Sequence, residues 1–201
     1  MPELPEVESL RRYLVREGAV GRVIERVDVE SKPSPDKGTG AISGIDKIRG
    51  RTIRSLERRS KQIAAVLDEG VLGLHMGMTG RLDVLADDEP LPRFTRVEFL
   101  LRNGERQFRM VLADPRRWGM VQRFRNLDEI FSGLGPDALD PYLTAEQFAD
   151  AVHRRTSPIK PLLLNQAVIA GVGNIYADEA LYRIGIAPAR RANRISGKNL
   201  V

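Results

Sequence analysis

The chain has 201 residues, 42% of them hydrophobic and 29% charged, enough to bury a core as one large domain or two small ones, and no apolar run approaches the roughly 18 residues that would span a bilayer. It has no cysteine and two histidines, His75 and His153, which excludes disulfides and thiolate metal sites and leads us to expect no bound metal. The net charge of +5 is unevenly spread: Arg49 to Lys61 carries six basic residues against Glu57 alone, and Arg183, Arg190, Arg191, Arg194 and Lys198 follow one another with no acid between them. Such clustering is the footprint of a phosphate-backbone binder or a solvated basic face.

The chain opens MPELPEVESLRRYL, without the basic-then-apolar order of a signal peptide, so a cytoplasmic enzyme or binding protein is expected. Val7, Leu10 and Leu14 fall at helical spacing and predict a first helix from Pro5 to about Glu17, before Gly18. Pro5 at the first helical position, with Glu6 and Glu8 facing the positive end of the helix dipole, is an ordinary helix start. It leaves Pro2-Glu3 unexplained. Methionine ahead of proline is commonly removed, and Pro2 then carries a free secondary amine with an ordinary pKa of about 8. Such an amine attacks electrophilic carbon as a Schiff-base lysine does, and Glu3 beside it is placed to move protons.

From there to about Arg125 the pattern is one of short strands: RVIERVDV, RTIRSLER, KQIAAVLD, VLGLHM, RLDVL, RVEFLLRN, QFRMVLAD and GMVQRFR, separated by turn residues. This predicts an eight-stranded sandwich or barrel, with Ser31 to Gly44 as a long polar loop or insertion. Two turns stand out. In LHMGMTGRL, flexible methionines sit among glycines at a strand end; they are core filler or a wedge for a distorted base stack, and His75 is a structural or a functional histidine. In ADPRRWGM, Arg116, Arg117 and the sole tryptophan, Trp118, share a turn, suiting either a base stacked among phosphates or the anchoring of a sheet edge.

LGPDALDP (Leu134 to Pro141) is a connector, and after it LTAEQFADAVHRR, SPIKPLLLNQAVIA and NIYADEALYRI read as helices. The β-rich half and the α-rich half imply two domains, residues 1–133 and 134–201, in the α+β class. GVGN precedes the last helix with Asn174 placed as its N-cap; exposed amides there would suit a phosphate, or simply cap the helix.

In succession, PELPEVE, RRSK, HMGMTG, DPRRWG and AGVGNIYADEAL closely resemble the bacterial formamidopyrimidine-DNA glycosylases, a family that includes the endonuclease VIII proteins; the resemblance runs from Pro2 to about Pro188. It implies an N-terminal helix and β-sandwich followed by a helix–two-turn–helix domain. It also implies a monomeric, nucleoid-associated repair enzyme for double-stranded DNA that removes 8-oxoguanine and formamidopyrimidines and then cleaves the strand by β- and δ-elimination. Under it, Pro2 attacks C1′ of the damaged nucleoside, Glu3 protonates the opening sugar, and Glu6 supports the site. Lys61, His75, Lys160 and Asn174 match positions that hold phosphates and help draw the lesion into the pocket. Met78, Arg116 and Trp118 match three residues that fill the gap left by the flipped nucleotide, with Arg116 on the orphaned cytosine. Leu4 and the Met-Arg-aromatic set fit the purine branch.

Some positions depart from the pattern. Trp118 stands where phenylalanine is common, and Ser60 and Gln62 replace the usual glycine and tyrosine beside Lys61. The family's C-terminal segment, with a lesion-capping loop and a four-cysteine zinc finger, has no counterpart, and the chain ends at RISGKNLV. A fragment of a longer gene product is expected, with a naturally shortened form as the alternative. For activity, the alternatives to a glycosylase and abasic-site lyase are a non-catalytic binder of damaged DNA or a fragment that does not fold stably.

Overall fold

The acidic, proline-bearing N-terminus folds as the sequence pattern requires. In the computed structural model, which describes residues 2–30 and 40–196, helix α1 spans Leu4–Arg16 and buries Leu4, Val7 and Leu14. Glu3 is its N-cap, so Leu4 is the first helical residue and Pro5 the second, one place later than the spacing suggests; either position lacks an intrahelical N–H partner, so proline costs nothing there. Gly18, at a φ of 77°, ends the helix.

Nine strands follow among the described residues: β1 (Val23–Val29), β2 (Ile42–Ser43), β3 (Ile53–Arg59), β4 (Gln62–Leu67), β5 (Val71–His75), β6 (Arg81–Leu85), β7 (Thr95–Asn103), β8 (Arg106–Ala113) and β9 (Met120–Phe124). All eight strands of the sequence pattern are present. The ninth, β2, lies in the stretch read as polar loop and pairs parallel with β9 through two residues; residues 31–39 of that loop lie outside the described residues.

The strands form two sheets, ordered β1-β7-β8-β6 and β2-β9-β5-β4-β3. Alternation along each strand turns one face of each sheet inward, so that Ile24, Phe99, Leu101, Met110 and Leu112 of the first pack with Ile53, Ile63, Leu72, Leu74 and Val121 of the second, joined by Val7 and Leu14 of α1. A four-residue helix, α2 (Leu127–Ile130), which the hydrophobic pattern is too short to reveal, is capped by the Asn126 side chain accepting from the Glu129 N–H at 2.9 Å. Its Ile130 packs with Ala64 and Val71 in a satellite core. Gly73 must stay small there, because a Cβ would lie 2.6 Å from the side chains of Ile130 and Phe124.

The chain divides into two compact units, Met1–Phe131 and Ser132–Val201. The second holds α3 (Ala145–His153), α4 (Ile159–Leu164) and α5 (Asn174–Arg183) around Val152, Ile159, Leu162, Ala177, Leu181 and Ile186. The helix expected through NQAVIA stops at Leu164. Asn165 and Gln166 replace the helical ladder with local bonds: the Ala167 N–H donates to Asn165 Oδ1, and the Gln166 amide bonds the Leu164 and Val172 carbonyls and the Gly171 N–H. Gly173, not Asn174, is the N-cap of α5; Asn174 is its first helical residue. The segment after Ser196, including Lys198, lies outside the described residues.

One charge cluster fastens α1 to the sandwich. The Glu8 carboxylate accepts from Arg11 at 2.7 Å, Arg12 at 2.8 Å and Arg58 of β3 at 3.2 Å. These bonds, Arg11 foremost, outweigh the opposing effect of burial and lower the Glu8 pKa from 4.5 to about 2. A carboxyl depressed in the folded state contributes stability that is complete above its unfolded pKa and fades as pH falls through the folded one. We therefore expect wild-type thermal stability to drop between about pH 4.5 and 2, with Glu8→Gln, measured by thermal melts across that range, removing a part of the slope worth at most about 3 kcal/mol.

Candidate functional site

Within the first unit, the N-terminal candidates gather at the head of α1. The Glu3 backbone N–H donates to Glu6 Oε2 at 2.9 Å, and the Glu3 carboxylate takes the Glu6 N–H, closing a capping box. Glu3 is thereby held at 3% exposure directly beside Pro2, which is half-buried. Glu6 is exposed, and its carboxylate is engaged in holding the Glu3 backbone.

Lys61 comes to the same place from the sandwich. Arg59 and Gln62 pair across β3 and β4, leaving Ser60-Lys61 as a two-residue turn. Ser60 sits at a φ of 58° and Lys61 is not in the left-handed region, the sign pattern of a type II′ hairpin turn. That turn favours glycine first, so serine here costs about 1 kcal/mol, and it projects Lys61 at 8% exposure. Burial lowers the Lys61 pKa, while the negative charge of Glu3 pulls it back up. His75 pairs with Gln62 next to this turn; burial, then the charge of Lys61, lowers its pKa and keeps the ring neutral. The Gly77 N–H donates to His75 Nδ1 at 3.1 Å, which places the ring proton on Nε2. Glu3 acts on Lys61, and Lys61 on His75, so the three form an electrostatically coupled set.

The same Gly77 leads to the second cluster. The Met76–Gly80 turn and the Asp114–Gly119 turn touch backbone to backbone: a Cβ at Gly77, whose φ is 59°, would lie 2.6 Å from the carbonyl carbon of Trp118. Asp114, at 1% exposure, ties the turns together. Its Oδ1 accepts from Thr79 Oγ1 at 2.6 Å and from the Arg116 N–H at 3.2 Å, and its Oδ2 accepts from the Gly119 N–H at 2.7 Å. Burial would raise its pKa, but the bonds from Thr79 and the backbone of Gly119, Arg116 and Trp118 together hold it below the usual value.

This bracket presents Met78, Arg116 and Trp118 as one group. The Arg116 guanidinium lies 4.0 Å over the Trp118 ring and its Nη1 is 3.6 Å from Met78 Sδ, with Met78 itself 41% exposed. The two arginines of the turn differ. Arg116 is exposed, whereas Arg117, at a φ of 61°, is ion-paired with Glu30. Asp114 and the Gly77 contact escape a search for chemistry-bearing side chains; the sequence signal for the former is an Asp-Pro opening a turn.

The second unit carries the other two candidates. Lys160 of α4 is ion-paired with Asp178 of α5 at 2.7 Å, bridging the two helices. Asn174 is exposed at the first turn of α5. No cysteine exists in the chain, so the four thiolates of the zinc finger that the resemblance implies are not in this sequence, and among the described residues no group of three or more His, Asp or Glu is arranged to hold a metal. No helix of the described residues is long and apolar enough to cross a membrane.

Comparison with known proteins bears on the whole length. Residues 1–121 match the formamidopyrimidine-DNA glycosylase N-terminal domain, and residues 134–201 match the H2TH domain of the same enzymes. The formamidopyrimidine-DNA glycosylase of Herpetosiphon aurantiacus is 40% identical over 100% of this chain and 73% of its own length, and that of Brevibacillus brevis 37% over the same shares. Among solved structures, the Lactococcus lactis protein bound to Fapy-dG DNA superposes with a TM-score of 0.82 at 26% identity, covering 98% of this chain and 74% of its own. MutM bound to carbocyclic 8-oxo-G DNA gives 0.84 at 25%, covering 99% and 74%.

The bracket makes a direct prediction. Asp114→Ala leaves the buried Gly119 N–H and the half-buried Thr79 hydroxyl and Arg116 N–H bonds without their acceptor and should cost about 3 kcal/mol. It should also shift the emission of Trp118, the only tryptophan, as the ring separates from Arg116. Thermal melts and intrinsic fluorescence check both.

Proposed function

This chain belongs to the formamidopyrimidine-DNA glycosylase family, DNA glycosylases and abasic-site lyases of base excision repair, and on that premise we propose that the amine of Pro2 is the nucleophile with which it excises oxidised purines. The observation that carries the reading is the buried Glu3 carboxylate, locked by the capping box beside Pro2. With Met1 removed, the proline nitrogen attacks C1′ of the lesion while the bond from C1′ to the base breaks, and the base leaves with its electron pair and takes a proton from solvent. The Glu3 carboxylate accepts the proton that the alkylated Pro2 nitrogen sheds and delivers it to the sugar ring oxygen as the ring opens, giving an iminium ion between Pro2 and C1′. Loss of a C2′ proton then expels the 3′ phosphate, and a further elimination expels the 5′ phosphate. The coupled trio suits proton movement in these steps: Lys61 has a lowered pKa and the neutral His75 offers Nε2–H as a donor.

A base inside a duplex cannot reach such a nucleophile, so the nucleotide must be extruded. Met78, Arg116 and Trp118 fill the vacated space: bulk from the methionine, hydrogen bonds from the arginine to the orphaned base, and a stacking face from the tryptophan. Because these side chains are already in mutual contact, the wedge needs little ordering when DNA arrives. Lys61, His75, Lys160 and Asn174 hold phosphates of the distorted strand, Lys160 by exchanging the carboxylate of Asp178 for a phosphate. The protein works as a monomer on chromosomal DNA in the bacterial cytoplasm, at the nucleoid.

Borohydride should trap a covalent adduct between the chain and duplex DNA containing an abasic site or 8-oxoguanine, and Pro2→Gly or retention of Met1 should abolish it. Trapping that survives blockage of the N-terminal amine would place the nucleophile on Lys61 or Lys160 instead. Salt-dependent binding to damaged duplex with no scission or adduct would mark the chain as a non-catalytic binder. Glu3→Gln should slow base release on the order of 10²–10⁴-fold, read by single-turnover kinetics.

A further inference from the structure

Arg58 lies two residues ahead of Ser60 on β3, with 9% of its side chain exposed. Burying a guanidinium is costly unless acceptors meet it. Alternation along β3 sets Arg58 on the side of Leu56, which packs in the core with Val7 and Leu14 of α1. Its Nε donates to Glu8 Oε2 at 3.2 Å, and its Nη1 donates to the Ser60 carbonyl at 3.2 Å. One rigid planar group thus touches both the helix that Pro2 and Glu3 lead into and the turn that presents Lys61.

The bonded carbonyl belongs to the peptide that joins Ser60 to Lys61, the central peptide of the turn. Type II′ and type I′ turns differ by a flip of that one peptide: both need positive φ at the first residue, and type I′ needs it at the second as well. Glycine fits the first place of a type II′ turn, whereas serine there is strained and gains by the flip. The flip would carry Lys61 to positive φ and re-aim its side chain. Ser60 nonetheless keeps a φ of 58° with Lys61 outside the left-handed region, and the Arg58 bond sits on the peptide that would have to move.

We propose that Arg58 is a positioning residue for Lys61: anchored on Glu8, it holds the Ser60–Lys61 peptide in the orientation that directs the lysine toward Glu3 at the head of α1. Glu3 is the carboxylate whose charge acts on Lys61. Glu8 is a firm anchor, because it also accepts from Arg11 at 2.7 Å and from Arg12 at 2.8 Å. Arg11 in turn donates to the Leu56 carbonyl of β3 at 3.3 Å, so the helix and the strand are fixed to each other beside the clamp. This role rests on the glycosylase reading of the preceding subsection, in which Lys61 serves proton movement next to Pro2.

The test measures single-turnover base release and borohydride trapping by the whole chain at saturating protein, across pH, alongside thermal melts. Arg58→Lys keeps a cation beside Glu8, but one ammonium cannot hold two acceptors as a planar fork does. Melting temperature should stay close to wild type, because Arg11 and Arg12 still hold Glu8, while the rate falls about 10–100-fold. The limb of the pH–rate profile that Lys61→Met abolishes should move to higher pH, since burial lowers the Lys61 pKa and a displaced lysine regains water. Adding Ser60→Gly to Arg58→Lys should restore most of the rate, because glycine holds the turn unaided. Arg12→Ala removes a 74% exposed partner of Glu8 and should leave rate and profile unchanged. A wild-type rate and profile in Arg58→Lys, or a loss that follows melting temperature and is not restored by Ser60→Gly, overturns the positioning role and leaves the glycosylase reading intact. A wild-type chain that neither releases base nor traps an adduct overturns that reading and this role with it.

Discussion

The candidate site of the first unit depends on one buried carboxylate. Asp114 reaches Thr79 on one turn and the backbone of Arg116 and Gly119 on another, binding two loops that are 35 residues apart in the chain. An ionised group at 1% exposure is tolerable only because bonds surround it, and the same bonds dictate the path of the turn. Once Gly77 is pressed onto the Trp118 backbone, the positions of Met78, Arg116 and Trp118 follow. Arg117, drawn instead to Glu30, completes the division of labour between two adjacent arginines.

The second constraint is how a chain terminus is made rigid enough for chemistry. Termini fray unless tied down, and here α1 is tied three ways: by its buried apolar face, by the Glu8 ion-pair cluster to Arg58 of β3, and by the Glu3–Glu6 capping box. In the proposed reaction this gives Pro2 a fixed address. Lys61 arrives from a hairpin whose first residue pays for its left-handed backbone, which shows why glycine is the usual neighbour there and why serine can be carried at a modest cost. Polar groups from a helix cap, a hairpin turn and a strand end thereby become one electrostatic unit.

Much of the fold was legible in the residues. Alternating apolar patterns located eight strands and the first helix because each has a buried face with a definite period. Where the pattern misled at α4, local polar side chains had competed with the backbone, Asn165 and Gln166 ending the helix early; at α5 the cap falls one residue earlier, on Gly173, with no side-chain bond to mark it. The two-residue β2 and the four-residue α2 were invisible because neither is long enough to express a period.

The amino-acid sequence by itself determined the class of the fold and the succession of motifs that marks the family, since both are written in short-range spacing. It also determined the chemical candidates: an N-terminal proline beside a glutamate, a lysine in a tight turn, and an arginine with an aromatic. Only the tertiary structure decided which of these meet and which residues hold them. Asp114 and Gly77 draw their meaning from partners distant in the chain, through a side-chain bond and a backbone contact that no local pattern encodes. Two neighbouring arginines are alike as letters; only the tertiary structure turned one outward and drew the other into an ion pair with Glu30.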